Sequence, residues 1–193
     1  MTKAKDHSEK LGASEILYSG RVFSLERHRV REPNGVLATR DIVHHPGSAV
    51  ILPVLPDGNI VLIRQYRIAI NCEIWELPAG TRDPQETFLQ TAKRELTEET
   101  GYRARRWKKL VEYFPSPGFL NERMAILLAD QLVAGTATPE DDEQITVHSF
   151  SLKRALQMIR TGQICDSKTL IGLLYWKQFR VAQTQRKLNR KIK

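Results

Sequence analysis

Cysteine is nearly absent from the chain: Cys72 and Cys165 are the only two, far apart and without a CxxC spacing. That excludes a disulfide scaffold and a zinc ribbon, suits a reducing cytoplasm, and makes both expected small core residues. Long apolar runs are missing too. None approaches the roughly 18–20 residues that span a bilayer, so no membrane segment is expected. The opening stretch Met1-Thr2-Lys3-Ala4-Lys5-Asp6-His7 lacks the apolar core of a secretory signal, and a cytoplasmic location is expected. Acidic charge is in deficit, 22 against 30 basic residues, for a net charge of +8. The excess is local. Arg180, Arg186, Lys187, Arg190, Lys191 and Lys193 account for most of it, with no acid among residues 180–193. A basic tail can bind polyanions by counterion release, but the nearly balanced remainder argues against a nucleic-acid groove, and the tail reads as a solvated terminus.

What is present is enough apolar material, 41% of residues, for one sizeable core. Residues 1–14 are polar and aperiodic, an expected mobile arm. Glu15–Val30 and Val36–His44 read as extended segments around Pro33-Asn34-Gly35, where Asn-Gly supplies the positive φ angles of a tight turn. This N-terminal β segment, 15–45, precedes a main domain over 46–183 and a basic tail over 184–193. Ala49–Leu55 and Ile60–Gln65 are β-branched runs around a second turn, and Trp75–Leu77 is a short extended piece. Thr87–Thr100 has helical spacing ended by Gly101. Met124–Leu132 and Ile145–Phe150 read as strands, Ser151–Thr161 and Lys168–Gln183 as helices. Hairpins mixed with helices point to an α+β class rather than alternating βαβ units.

The chemistry is expected on the helix within Gly80–Tyr102. At about 100° per residue, Phe88, Leu89, Ala92 and Leu96 form one apolar stripe. Glu99 and Glu95 fall in or beside that stripe, and Glu98 on its flank. A helix used only for packing would not bury bare carboxylates. Glu95, Glu98 and Glu99 stand at i, i+3 and i+4, so they converge on one patch. Crowded carboxylates call for a cation, and oxygen-only ligands select Mg²⁺ or Mn²⁺ over zinc. Arg94 is placed to fork onto a carboxylate and orient the set. The competing reading is a solvated acidic face balanced by Lys93 and Arg94.

The same stretch resembles the Nudix box, with Gly80, Glu86, Arg94, Glu95, Leu96, Glu98, Glu99, Gly101 and Tyr102 at its spacing. Tyr102 alone departs mildly, standing where an aliphatic residue is usual. The resemblance implies a Nudix fold, an α/β/α sandwich with a mixed sheet, and divalent-metal-dependent attack of water on a diphosphate. It implies that Glu95, Glu98 and Glu99 hold Mg²⁺ or Mn²⁺, joined by the backbone carbonyl of Ala79.

Substrate signals lie outside the box. Glu76-Leu77-Pro78-Ala79-Gly80 and Arg64-Gln65-Tyr66-Arg67 resemble the ADP-ribose and nucleotide-sugar branch, as do Pro117-Gly118 about 16 residues past the box and Glu122 after them. Substrate binding is therefore expected from Arg67, Glu76, Pro117, Gly118 and Glu122, with Arg67 suited to bidentate phosphate contact. Trp75 and Phe119 are either base-stacking or core residues. In this branch the general base is an acid on a late loop. Glu143 is favoured, with Glu140 and Asp141 as alternatives. The expected reaction is hydrolysis of ADP-ribose to AMP and ribose 5-phosphate. GDP-mannose or another nucleotide sugar is the first rival; an RNA-end hydrolase and an inactive Nudix-like binding module are further ones. Relatives are often homodimers whose N-terminal strands help build the partner's site, and a homodimer is expected here.

Overall fold

The computed structural model describes residues 8–138 and 144–191, with side chains described as far as Phe179. The chain divides into an N-terminal unit, residues 1–47 with 114–123, and a core unit, residues 48–113 with 124–193.

In the N-terminal unit, β1 (Glu9–Lys10), β2 (Glu15–Ser19), β3 (Ser24–Arg31) and β4 (Leu37–His44) form an antiparallel sheet. Glu9 and Lys10 pair with Arg31 and Val30, so part of the arm expected over residues 1–14 is strand. The extended segment expected over Glu15–Val30 is two strands, joined by a turn closed by a Gly20 N–H to Phe23 carbonyl bond of 2.9 Å. The β3–β4 turn also differs from expectation. Gly35 alone is left-handed, at φ 83°, and its N–H bonds the Glu32 carbonyl at 2.8 Å. With Pro33 fixing the first central angle, this is a turn followed by a bulge glycine rather than an Asn-Gly pair with two positive angles. Phe114–Arg123, with Pro117, Gly118 and Glu122, belongs to this unit and not to the expected main domain.

The core unit holds β5 (Ser48–Pro53), β6 (Ile60–Arg67), β7 (Cys72–Glu76), β8 (Ala79–Thr81), α1 (Phe88–Thr100), β9 (Arg103–Tyr113), β10 (Met124–Val133), β11 (Ile145–Phe150), α2 (Leu152–Arg160) and α3 (Ser167–Lys191). One sheet runs β8-β5-β10-β9, with β5 and β10 parallel and the other pairs antiparallel; the other is the antiparallel β11-β6-β7. β5 is buried along its whole length because both of its faces are covered. Val50 and Leu52 join Ile126, Leu128, Leu62 and Leu77 in a core with Ala155 and Met158 of α2 and Leu173 of α3. On the opposite face Ala49, Ile51, Ala125, Leu127 and Ala129 meet Ala92 and Leu96 of α1. The alanines let α1 lie close to the sheet. These layers make the expected α+β sandwich.

β9 carries no periodic signal in the sequence, its few apolar residues being spread among basic ones at the edge of its sheet. Two expectations need correction. α3 continues to Lys191, so most of the residues expected as a basic tail are helical backbone. Cys72 and Cys165 are exposed, not core.

The close seat of α1 is testable. Ala92→Leu, at a fully buried position, should cost about 1–3 kcal/mol by overpacking in urea unfolding. Leu89→Ala, at a position 38% exposed, should change stability by under about 0.5 kcal/mol.

Candidate active site

Helix α1 begins and ends on local signals. Thr87 and Gln90 form a capping box, each side chain bonded to the other's backbone N–H, and Gly101 closes the C-terminus in a left-handed conformation at φ 73°. The buried face is Thr91, Ala92, Glu95, Leu96, Glu99 and Thr100. The two glutamates lie in the buried stripe as their helical phase requires, whereas Leu89, expected in it, is exposed.

Arg94 organises the acids. Its Nε and Nη2 each donate to Glu86 at 3.0 Å, Nη1 donates to Glu95 at 2.6 Å and Glu98 at 3.0 Å, and Nη2 also reaches the Thr81 carbonyl at 3.2 Å. Glu86 accepts from Thr91 Oγ1 at 2.8 Å as well. The Arg94 bonds, with that of Thr91, outweigh burial and hold the Glu86 carboxyl at about 2, below its ordinary 4.5. Reciprocally, the bonds to Glu86 raise Arg94.

The strand before the box fits this helix at backbone level. Ala79 N–H donates to Glu99 Oε2 at 3.0 Å, which fixes Ala79 beside the acid. A Cβ on Gly80 would lie 1.8 Å from Glu95 Oε1. A side chain on residue 80 would push the Glu95 carboxylate out of this position.

The residues fit a hard divalent ion. Glu95 and Glu99 are 9% and 3% exposed, and all three acids lie toward the C-terminal, negative end of the helix dipole, whose last turn holds no basic residue. Burial and dipole both oppose charge there, and both call for a cation. As arranged, Glu95 and Glu98 lean on Arg94 and Glu99 accepts from the Ala79 N–H; among the described residues, the cluster with all ligand atoms within 4.8 Å is Glu26, His28 and His44.

A second charged cluster lies in the same unit. Arg67 donates from Nε and Nη2 to the two oxygens of Glu76 at 2.7 and 2.8 Å. Glu76 is 1% exposed and is also bonded by Lys168 Nζ. Burial pushes Glu76 up, but the bonds from Arg67 and Lys168 outweigh it and leave the carboxyl below its usual range. Arg67 is raised, chiefly by Glu76, and Glu99 also contributes, which ties this cluster to α1. Lys168, Asp166 and Thr169 were missed in the sequence. Asp166 Oδ2 accepts from the Thr169 N–H and hydroxyl, a helix-start pattern that could have placed them, but nothing local links Lys168 to Glu76, 92 residues away.

In the N-terminal unit, Pro117 and Gly118 sit in an exposed turn, and a Cβ on Gly118 would meet nothing. Glu122 lies 3.5 Å from His45 Nδ1 and is mostly buried. Phe119 is 56% exposed. Trp75, in the core unit, is half-buried and packs edge-on against His148 and Phe150. Glu140, Asp141 and Glu143 lie outside the described residues.

Residues 43–169 match the family model described as NUDIX domain. The chain is 35% identical over 184 residues to an ADP-ribose pyrophosphatase of Bacillus subtilis (strain 168), covering 94% of this chain and 100% of that protein. It is 37% identical over 169 residues to a methanol dehydrogenase activator of Bacillus methanolicus, covering 86% and 91%. An ADP-ribose pyrophosphatase of Mycobacterium tuberculosis is 34% identical, over 88% and 83%. A crystal structure of an ADP compounds hydrolase superposes with a TM-score of 0.81 at 20% identity, over 94% and 98%, a likeness of fold.

Because the folded Glu86 carboxyl sits at about 2 rather than 4.5, its contribution is complete above pH 4.5 and is lost as pH falls towards 2. Glu86→Gln should flatten the melting-temperature profile over that window. Gly80→Ala should displace Glu95 and lower kcat by about a hundredfold or more, read in initial-rate assays alongside a far-UV circular dichroism spectrum that stays native.

Proposed function

The chain belongs to the Nudix family, and on that premise we propose that it is a Mg²⁺-dependent pyrophosphohydrolase that cleaves ADP-ribose to AMP and ribose 5-phosphate. The observation that carries this reading is the buried acidic face of α1, held by Arg94 and met by a glycine strand. The substrate is supported by relatives that bear that activity in their names and align over most of their length.

Glu95, Glu98 and Glu99 would hold the metal, with the Ala79 carbonyl completing the set. Mn²⁺ suits the same oxygen ligands. Bound there, a divalent ion supplies charge neutralisation for the diphosphate and acidifies a water. Arg94 gathers Glu95 and Glu98 on one guanidinium nitrogen and keeps them aimed. Arg67, held flat by Glu76, offers its remaining N–H groups to phosphoryl oxygens. The proton of the attacking water passes to an acid of the late loop, Glu143 in preference to Glu140 or Asp141. The same chemistry would serve GDP-mannose, and no feature of the described residues favours that sugar.

No described helix is long and apolar enough to cross a membrane, and the enzyme is assigned to the cytoplasm. A homodimer formed through the N-terminal strands is part of the proposal. It is supported by Ile16, Leu17 and Tyr18 of β2 and the neighbouring Val22 and Phe23, all exposed.

Turnover of ADP-ribose, ADP-glucose, GDP-mannose, UDP-glucose, diadenosine polyphosphates and capped RNA with Mg²⁺, products identified by mass, tests the assignment. AMP and ribose 5-phosphate should form fastest, from ADP-ribose. Faster turnover of GDP-mannose would replace the substrate and keep the chemistry. Arg67→Lys, which loses the planar fork, should raise KM for ADP-ribose by about tenfold.

A further inference from the structure

The α1 acids are not the only place where ligand-bearing side chains meet. In the N-terminal sheet, Glu26 and His28 are two apart on β3 and so share a face, and His44 of β4, paired with Ser24, lies on that face too. His28 Nε2 is 3.3 Å from His44 Nε2. Glu26 Oε2 lies 3.4 Å from the first nitrogen and 3.6 Å from the second. These three atoms form a nearly equilateral triangle.

The size of the triangle is informative. Zinc bonds of about 2.0–2.1 Å to nitrogen or oxygen in a tetrahedron place neighbouring ligand atoms about 3.3–3.4 Å apart. The observed spacings of 3.3, 3.4 and 3.6 Å are close to those of one tetrahedral face, with the His28–His44 contact also within hydrogen-bond reach. The His28 ring is buried, and the His44 and Glu26 side chains are 29% and 22% exposed, so an ion can enter and water can take a fourth position.

We propose that Glu26, His28 and His44 form a site for a tetrahedral first-row divalent ion of the zinc class, separate in ligand chemistry from the all-oxygen set on α1. Two imidazoles and one carboxylate favour zinc and its neighbours over Mg²⁺. The ion ties β3 to β4 and stabilises the N-terminal sheet, because it binds the folded hairpin and not the open chain.

The surroundings already hold two of the ligands. Ser14 Oγ donates to Glu26 Oε2 at 2.8 Å. Asn121 Nδ2 lies 2.9 Å from His44 Nδ1, and Asn121 Oδ1 accepts the His45 N–H at 2.8 Å. Metal at His44 Nε2 requires the ring proton on Nδ1, and that proton needs an acceptor. The Asn121 amide has to turn over to provide one, at the cost of its bond to His45. An aspartate would accept from both groups at once. Loading is therefore opposed by Asn121 and should be strengthened by Asn121→Asp.

The test uses the full chain, stripped with EDTA and titrated with Co²⁺ in excess Mg²⁺. One equivalent of Co²⁺ should give a visible band of tetrahedral intensity, bleached by one equivalent of Zn²⁺, and Zn²⁺ should raise the melting temperature. His28→Gln and His44→Gln should each abolish the band, and Glu99→Gln should leave it. Asn121→Asp should tighten Co²⁺ binding by about tenfold. Should the buried His28→Gln variant fail to fold, the more exposed His44→Gln decides. No tetrahedral band in the native chain, a band that survives His44→Gln, or one lost with Glu99→Gln would overturn the proposal.

Discussion

Everything around α1 depends on keeping like charges together at the wrong end of a helix. Glu95, Glu98 and Glu99 crowd the C-terminal half of α1, two of them buried, where the helix dipole is negative. Arg94 makes this possible by contacting Glu86, Glu95 and Glu98 at once. Its guanidinium is planar and permanently charged, so it serves three carboxylates where a lysine would act as a single point charge. The small residues beneath α1 are part of the same solution. Ala49, Ala92, Ala125 and Ala129 let the helix sit low on the sheet, and Gly80 lets the adjoining strand pass Glu95.

A second buried carboxylate shows how differently the fold treats an acid meant to stay paired. Glu76 is enclosed by Arg67 and Lys168, one from the β6 strand and one from the start of α3. Breaking such a pair leaves a buried charge uncompensated. It therefore serves as a fixed frame on which Arg67 is presented, while the α1 acids, Glu95 and Glu98 on one arginine and Glu99 on the Ala79 N–H, are the set suited to exchanging a partner for a metal.

Where local physics decides, the sequence was readable. The left-handed Gly101 and the strands β5, β6, β10 and β11 follow from turn chemistry, β-branching and periodicity. The acid spacing on α1 could be read because a helix fixes the phase of its side chains. What stayed hidden depends on distant pairing. β9 has no apolar alternation to reveal it, since only its neighbour β10 makes it a strand. Lys168 meets Glu76 across 92 residues. His28 and His44 meet only through hairpin register. Cys72 shows the limit of composition: cysteine is commonly buried, but strand-end geometry puts this one outside.

The central claim is that the acids of α1 form the divalent-metal centre. The most direct measurement is a Mn²⁺ titration of the full chain followed by electron paramagnetic resonance, in the native protein and in a Glu98→Gln/Glu99→Gln variant of matched thermal stability. Saturable Mn²⁺ binding is expected, weakening by at least about tenfold when the two carboxylates become amides. Unchanged Mn²⁺ affinity in the folded variant would contradict it and place the metal elsewhere.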